Sequence, residues 1–454
     1  MNKEDLEGRR NERLHPDKAK QSEERSPSER DHDRILYSSA FLRLAGVTQV
    51  AHSEDQCIVH NRLIHSLKVA RLGRGLAVRL SRQQPDMVDV VGGIDPSTVE
   101  AASLAHDIGH PPFGHVAEDE LNKLVQNHSS GTEFDAFEGN AQSFRVVTKL
   151  ATRDFDYSGL NLTRATLNAM QKYPWHRGAE TRKSKKWGAY IAEEEEFNWT
   201  RKFSSSEGIR CAEAELMDWA DDVAYATHDL EDYYRVGLVP LDQLMTSFKE
   251  RERFLNGTFS RWKVEGVHPE AGEEELSEAF DRITKIGEKV APAELKEPYS
   301  GSRRQRAAIH TFTSLLINQF LGGIELKEPT QGDPKLVKVD RTKKLEITIL
   351  KSLMFHYVLR NPNLAAVEFG QRSVIKGLYK IFSDEADNPA SKIFSERYRE
   401  QLNELKQISG NEGSKCKLRI IVDMVAELTE HRAYQLYKTL TGNSVGSVLD
   451  YAQR

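Results

Sequence analysis

Cysteine is scarce in this chain, with Cys57, Cys211 and Cys416 the three among 454 residues. They are widely separated and lack metal-type spacing, which excludes a zinc ribbon and a disulfide framework and suits a reducing compartment. Uninterrupted apolar runs of about 18 residues are also missing, so nothing reads as a membrane span. The amino terminus carries charge where a signal peptide would carry an apolar stretch. A cytoplasmic protein without membrane attachment is expected. Positive charge is not in excess: 64 Lys and Arg face 69 Asp and Glu, for a net charge of −5. That balance gives no general case for nucleic acid or an anionic membrane, although local basic patches stay open. Strand signals are sparse, and no internal repeat of fixed period is found.

What is present is helical. At 38% hydrophobic and 29% charged the chain can bury a sizeable core. Its length allows two or three domains, or one large helical body. Periods near 3.6 dominate and predict an all-α fold. Residues 1–33 hold Met1, Leu6 and Leu14 as their large apolar side chains and read as a disordered charged tail. Helical spacing runs from Ile35 to Val50 and from Leu63 to Leu80, followed by a loop over 82–97 with Pro85, Gly92, Gly93 and Pro96. Ser97-Thr98-Val99-Glu100 looks like a capped start. The helix it opens runs into His106-Asp107 and stops before Pro111-Pro112. Residues 176–208 carry basic Arg182-Lys183-Ser184-Lys185-Lys186, acidic Glu193 to Glu196 and Ser204 to Ser206. They read as a flexible charged insertion, either a solvated loop or an element beside a site mouth. Ala212 to Tyr234 is helical, 265–305 is an exposed helix-loop stretch, and amphipathic helices occupy Ile309 to Leu440, including Val374 to Phe382 and Leu418 to Tyr437.

Chemistry concentrates in a split set of His and Asp: His65, the doublet His106-Asp107, and Asp221. Imidazole nitrogen and carboxylate oxygen are ligands of a catalytic divalent metal, and neither is cheap to bury without a partner. The doublet opens a ten-residue run that also holds His110 and His115. His106 and His110 are four apart, as on one helix face. Asp218, Asp221, Tyr225 and Asp229 form one stripe of a later helix, interrupted by small alanines as a packed, ligand-facing surface would be. His115 and Glu118 are i, i+3, so the carboxylate can orient the imidazole.

The runs His60-Asn61-Arg62-Leu63-Ile64-His65-Ser66, His106-Asp107-Ile108-Gly109-His110-Pro111-Pro112-Phe113-Gly114-His115 and Ala220-Asp221-Asp222-Val223-Ala224-Tyr225 resemble the HD-domain phosphohydrolases. Phe137-Glu138-Gly139-Asn140-Ala141-Gln142 and Lys172-Tyr173-Pro174-Trp175 resemble their deoxyguanosinetriphosphate triphosphohydrolase-like branch. The likeness covers residues 35–235, and more weakly 350–445. It implies an HD helical fold with additional C-terminal helices: an HD domain over 34–236, and a region over 237–454 that completes the cleft and makes oligomer contacts. It also implies one divalent metal held by His65, His106, Asp107 and Asp221. Mn²⁺ or Mg²⁺ is expected first, with Co²⁺, Fe or Zn²⁺ compatible with the mixed donors.

By the same resemblance His115 and Glu118 act in catalysis with His110 nearby, Arg62 and Lys172 contact phosphate, and Asn140 and Gln142 line the cleft. Gln49 and Asp229 match positions that bond the deoxyribose 3′-hydroxyl. Tyr225 matches the ring that packs near C2′ and excludes a ribose. The implied reaction converts a deoxynucleoside triphosphate (dNTP), dGTP among them, to deoxynucleoside and inorganic triphosphate. A homo-oligomer, tetramer or hexamer, is implied, and a dNTP effector or single-stranded DNA is a further possible partner. Two alternatives remain: an HD phosphohydrolase acting on another nucleotide phosphoester, and a nucleotide-sensing or nucleic-acid-binding protein without catalysis. The intact His115-Glu118 pair counts against the second.

Overall fold

Alanine and glycine decide where helices meet most closely. Helix Arg62–Gln83 packs on Pro96–Ala105 and on Ala212–Arg235. Ala77, Ala101, Ala105, Ala220 and Ala224 are all fully buried along these contacts. A Cβ on Gly73 would come within 2.9 Å of Ser103 Oγ and 3.0 Å of Val99 Cγ1, so a side chain there would force its neighbours to shift. This approach brings the faces carrying His65, His106 and Asp221 together. Around it Val69, Leu76, Leu216 and Leu230 fill a core that extends through Phe254, Phe280, Phe312 and Leu350. Each fully buried side chain of this kind contributes about 1.5–3 kcal/mol.

The computed structural model describes residues 3–17, 23–49, 59–128, 135–178, 180–203, 208–267, 271–388, 391–405 and 410–444. Cys57 and Ser204 to Ser206 lie outside them. Within them the fold is all-α apart from an antiparallel ribbon, Ile324–Leu326 with Val337–Val339, in which Ile324 faces Val339. A second core joins helix His115–His128 to Pro362–Glu385 through Ala117, Leu121, Val125, Leu378 and Phe382. The carboxy-terminal region thereby packs on the segment carrying His115. No helix among the described residues is long and apolar enough to cross a membrane.

Several sequence expectations are corrected. The polar amino-terminal segment is not a disordered tail where it is described: Lys3–Asn11 and Pro27–Leu36 are helices. Ion pairs and hydrogen bonds hold much of it in place, and Ile35 is the buried apolar side chain of the second helix. Asp31 is fully buried beneath Arg13 and accepts from the Thr163 hydroxyl at 2.7 Å, and Arg34 donates to Asp17 at 2.9 Å. The 176–208 insertion is also packed where it is described. Trp187, Ala189 and Tyr190 are buried, and Glu194–Arg201 is a helix whose Phe197 faces Phe144. Apolar residues between the two charge runs explain this.

Helix boundaries shift for local reasons. The expected Ile35 to Val50 helix breaks at Ser38, whose hydroxyl accepts from Phe41 N–H and caps a new turn. The Pro96–Ala105 helix is capped by Asp95, not Ser97. It ends before the doublet, so His106 and His110 sit in turns rather than on one helix face. Leu418 to Tyr437 divides into Asn411–Ala426 and Glu430–Leu440 because Thr429 caps the second helix. Within 265–305, Glu273–Val290 buries Leu276, Phe280 and Ile283 and is exposed on its charged side alone.

Candidate active site

His65 projects from the first turn of Arg62–Gln83, a helix started by Asn61, whose side chain accepts from Ile64 N–H. His106 and Asp107 follow the end of Pro96–Ala105, and Asp221 lies mid-way along Ala212–Arg235. His65 Nε2 lies 3.0 Å from Asp221 Oδ1. His106 Nε2 lies 3.5 Å from Asp107 Oδ1 and 3.7 Å from Asp221 Oδ1. His106 Nδ1 donates to Ser103 O at 2.6 Å, which leaves Nε2 as the lone-pair nitrogen with no hydrogen-bond partner among the described residues. A buried, unpaired acceptor pointed at two carboxylates fits a cation-binding site. His65, His106 and Asp107 offer ligand atoms close enough to share one ion, with Asp221 Oδ1 beside both histidines, and such mixed nitrogen and oxygen donors suit a divalent metal.

The electrostatics agree. Burial alone would raise the Asp107 and Asp221 carboxyls, but their neighbours outweigh it and hold both well below the usual range. For Asp107 these are His106, His110 and Arg62; for Asp221, Lys172 and the histidines. Burial lowers His65 despite Asp221. Both carboxylates are thus anionic and the His65 imidazole neutral, the protonation states a metal needs.

Past Asp107 the chain makes a strained turn. Phe113 has φ 67° and Gly114 φ 54°. A non-glycine residue in this left-handed region is uncommon and persists when its surroundings over-determine it. The turn delivers His115 to the start of helix His115–His128, where Nδ1 lies 2.9 Å from Glu118 Oε2. His115 is 70% exposed while Glu118 is buried, so the imidazole is accessible and its partner fixed. His110 is buried between Asp107 and Glu118, its Nδ1 3.1 Å from Asp107 Oδ1 and its Nε2 3.9 Å from Glu118 Oε2, and burial followed by Arg62 pushes it down to about 3.

One cavity of about 250 Å³ collects these groups. His106, Asp107, His110, His115 and Asp221 line it together with the cations Arg62 and Lys172, and Gln49, Tyr225 and Asn140 complete the expected set. Arg62 is fully buried and paired with Asp107. Lys172 Nζ lies 2.7 Å from Asp218 and 2.9 Å from Asp221. Asn140 Nδ2 donates to Glu138 at 2.8 Å, and Gln49 Oε1 has no partner among the described residues. His65 and Glu118 stand behind the lining.

Two expected residues fall elsewhere. Asp229 is buried and does not line the cavity. Its carboxylate has no hydrogen-bond donor among the described residues, and His60 Nε2 is 3.3 Å away. Burial, then Asp232, raise its pKa well above the ordinary value. Gln142 is buried against Asp423 and Tyr190 and is not part of the cleft.

Sequence reasoning missed Lys186. It lines the cavity and places Nζ 2.7 Å from Glu118 and 3.1 Å from Glu138. Burial lowers the ammonium, but these two carboxylates more than reverse that and raise it. The adjoining Trp187-Gly188-Ala189-Tyr190, apolar after a basic run, was the available signal. Glu368 and Gln371 also line the cavity, from helix Pro362–Glu385.

Residues 62–226 match the HD domain, and 337–439 match the phosphohydrolase-associated domain. A deoxyguanosinetriphosphate triphosphohydrolase-like protein of Streptomyces coelicolor is 34% identical over 92% of this chain and 93% of its own length. Its counterpart in Corynebacterium glutamicum is 31% identical over 93% and 95%. A second such protein of Vibrio cholerae is 28% identical over 91% and 88%. The histidines and aspartates that meet at the cavity sit within the matched HD region, and the chain belongs to the deoxyguanosinetriphosphate triphosphohydrolase-like family of HD-domain phosphohydrolases.

Proposed function

We propose that the protein is a metal-dependent dNTP triphosphohydrolase that releases deoxynucleoside and inorganic triphosphate. The observation that carries this reading is the shared cavity. His65, His106, Asp107 and Asp221 converge beside it, His115 opens onto it, and three cations and a sugar-sized set, Gln49 and Tyr225, surround it. The relatives' names support dGTP among the expected substrates.

His65, His106, Asp107 and Asp221 would hold the ion, with Mn²⁺ or Mg²⁺ favoured by the two carboxylates and Co²⁺, Fe or Zn²⁺ also compatible. A bound divalent ion supplies Lewis-acid polarisation of a phosphoryl oxygen and a water of lowered pKa. The side chains account for the rest. Arg62, Lys172 and Lys186 balance polyphosphate charge, and Asn140 offers a donor beside them. Each cation is held by a carboxylate before substrate arrives, which fixes its position. Glu118 holds His115 Nδ1, leaving Nε2 as the nitrogen that moves a proton at the 5′-oxygen. Tyr225 packs where a 2′-hydroxyl would sit, and Gln49 bonds the 3′-hydroxyl.

The test is turnover of the four dNTPs by metal-stripped protein before and after Mn²⁺ or Mg²⁺ is restored, with elemental analysis of His106→Ala and Asp107→Ala. Activity that returns with metal, and variants depleted of it, are expected. Metal-independent turnover, or a full metal complement in both variants, refutes the reading.

A further inference from the structure

Glu430 is distant in sequence from the HD motifs, yet its carboxylate reaches two loops of the site. It is the first residue of helix Glu430–Leu440, capped by Thr429, and is 6% exposed. Oε1 accepts from the backbone N–H of Thr48 at 2.8 Å and from that of Phe113 at 3.2 Å. Oε2 accepts from Thr48 Oγ1 at 2.8 Å. Thr48 and Phe113 both line the cavity. Thr48 immediately precedes Gln49, and Phe113 is the left-handed residue of the turn that delivers His115.

Neighbouring contacts reinforce the same join. The Tyr434 ring meets Phe113 edge-on at 5.0 Å. Thr429 sits so close to Gly46 that a Cβ there would lie 2.8 Å from it. Arg43 donates to Leu428 O at 3.1 Å, and also to Ile108 O at 2.9 Å and His110 O at 2.7 Å. A carboxylate that accepts from backbone N–H groups makes charge-assisted bonds stronger than neutral ones. Here one such group holds the strained Phe113 amide and the turn ahead of Gln49 at a common point.

We propose that Glu430 is a positioning residue. It ties the sugar-facing Gln49 loop to the turn that places His115, so that sugar recognition and proton transfer share one geometry set by the carboxy-terminal region. The kinetic consequence rests on the triphosphohydrolase reading above; the structural consequence does not.

The experiment compares wild type, Glu430→Ala and Glu430→Gln by amide hydrogen exchange and by kcat and KM on a matched dNTP and rNTP, with metal content measured throughout. In Glu430→Ala the Thr48 and Phe113 amides should exchange faster while helices Arg62–Gln83 and Ala212–Arg235 keep their protection and metal is retained. kcat/KM should fall on the order of ten- to a hundredfold, as for a displaced reacting group, and the dNTP preference should narrow. Glu430→Gln keeps an amide oxygen as acceptor and should restore both protected amides and most turnover. Unchanged exchange at both amides overturns the proposal. So does exchange raised throughout the chain with kcat/KM falling in step with the folded fraction. If Glu430→Ala fails to fold, Thr48→Val, which deletes the Oγ1 bond alone, and Glu430→Gln decide by the same readouts. A wild type that hydrolyses no dNTP would sink the functional reading, yet the exchange result would still support or overturn the placement.

Discussion

Gly109 sits in the loop between Asp107 and His110, pressed against helix Gly139–Arg145. A Cβ built there would lie 2.1 Å from Ser143 N, 2.4 Å from Gln142 C and 2.7 Å from Ser143 Cα. All three are backbone atoms, so no side chain can swing away. Ordinary contact begins at 3.4 Å, and loop and helix must therefore part by more than 1 Å in Gly109→Ala. Overpacking of this kind costs about 3 kcal/mol when the neighbour cannot yield. Separation also breaks the 3.0 Å bond from Gly109 N–H to Ser143 Oγ, worth about 1 kcal/mol. The expected loss is about 4 kcal/mol, a large part of the about 5–15 kcal/mol that holds most proteins folded. Asp107 and His110 move with the loop, so metal affinity should fall too. Urea unfolding followed by tryptophan fluorescence measures the loss. Gly75→Ala is the control: Gly75 is an exposed helical position with nothing within 4 Å, and alanine there should stabilise by about 0.4–1 kcal/mol. A Gly109→Ala variant within about 1 kcal/mol of wild type would refute the close approach of loop and helix.

His115→Ala should keep its metal and bind substrate while kcat falls about 10²–10⁴-fold, the usual contribution of a general acid–base group; near-normal kcat would leave His115 a surface residue. Tyr225→Ala should narrow the preference for dNTP over rNTP in kcat/KM, whereas Gln49→Ala should weaken both substrates with little change in that ratio; an unaltered ratio in Tyr225→Ala contradicts the sugar gate. The Asp17 carboxyl is pushed up by burial, but Arg34, Arg13 and Arg30 outweigh this and hold it below the ordinary range. A depressed folded pKa contributes stability above about pH 4 that is lost as pH falls through the folded value. Asp17→Asn should therefore be less stable than wild type at neutral pH, by less than about 1 kcal/mol for a solvent-screened group, and should converge on it in strong acid; equal deficits at both ends of the pH range would show that charge is not the cause.

What the sequence made legible was the part built from short-range regularities. His65, His106, Asp107 and Asp221 each sit in or beside a helix whose period is plain, and the structure brings all four together. His115 and Glu118 are one turn apart, and that spacing sufficed to pair them. The groups that were hidden depend on charges meeting across long separations. Nothing in the run Arg182 to Lys186 marks Lys186 as the residue that turns inward to Glu118 and Glu138. The amino-terminal helices were unreadable for a similar reason, since Arg13, Asp17, Asp31 and Arg34 replace the apolar stripe that periodicity detects. Asp229 shows the opposite difficulty. Its place on the Tyr225 stripe is right, but its burial behind the cavity is a matter of packing depth, which spacing does not encode.

In the proposed reaction attack falls on the phosphorus nearest the sugar and releases the polyphosphate whole. A ³¹P spectrum of the products from dGTP and the other dNTPs, taken with metal-loaded protein, tests it most directly. The expected spectrum shows the resonances of inorganic triphosphate, with unphosphorylated deoxynucleoside recovered in equal amount. Pyrophosphate with deoxynucleoside monophosphate, or orthophosphate with deoxynucleoside diphosphate, would contradict it.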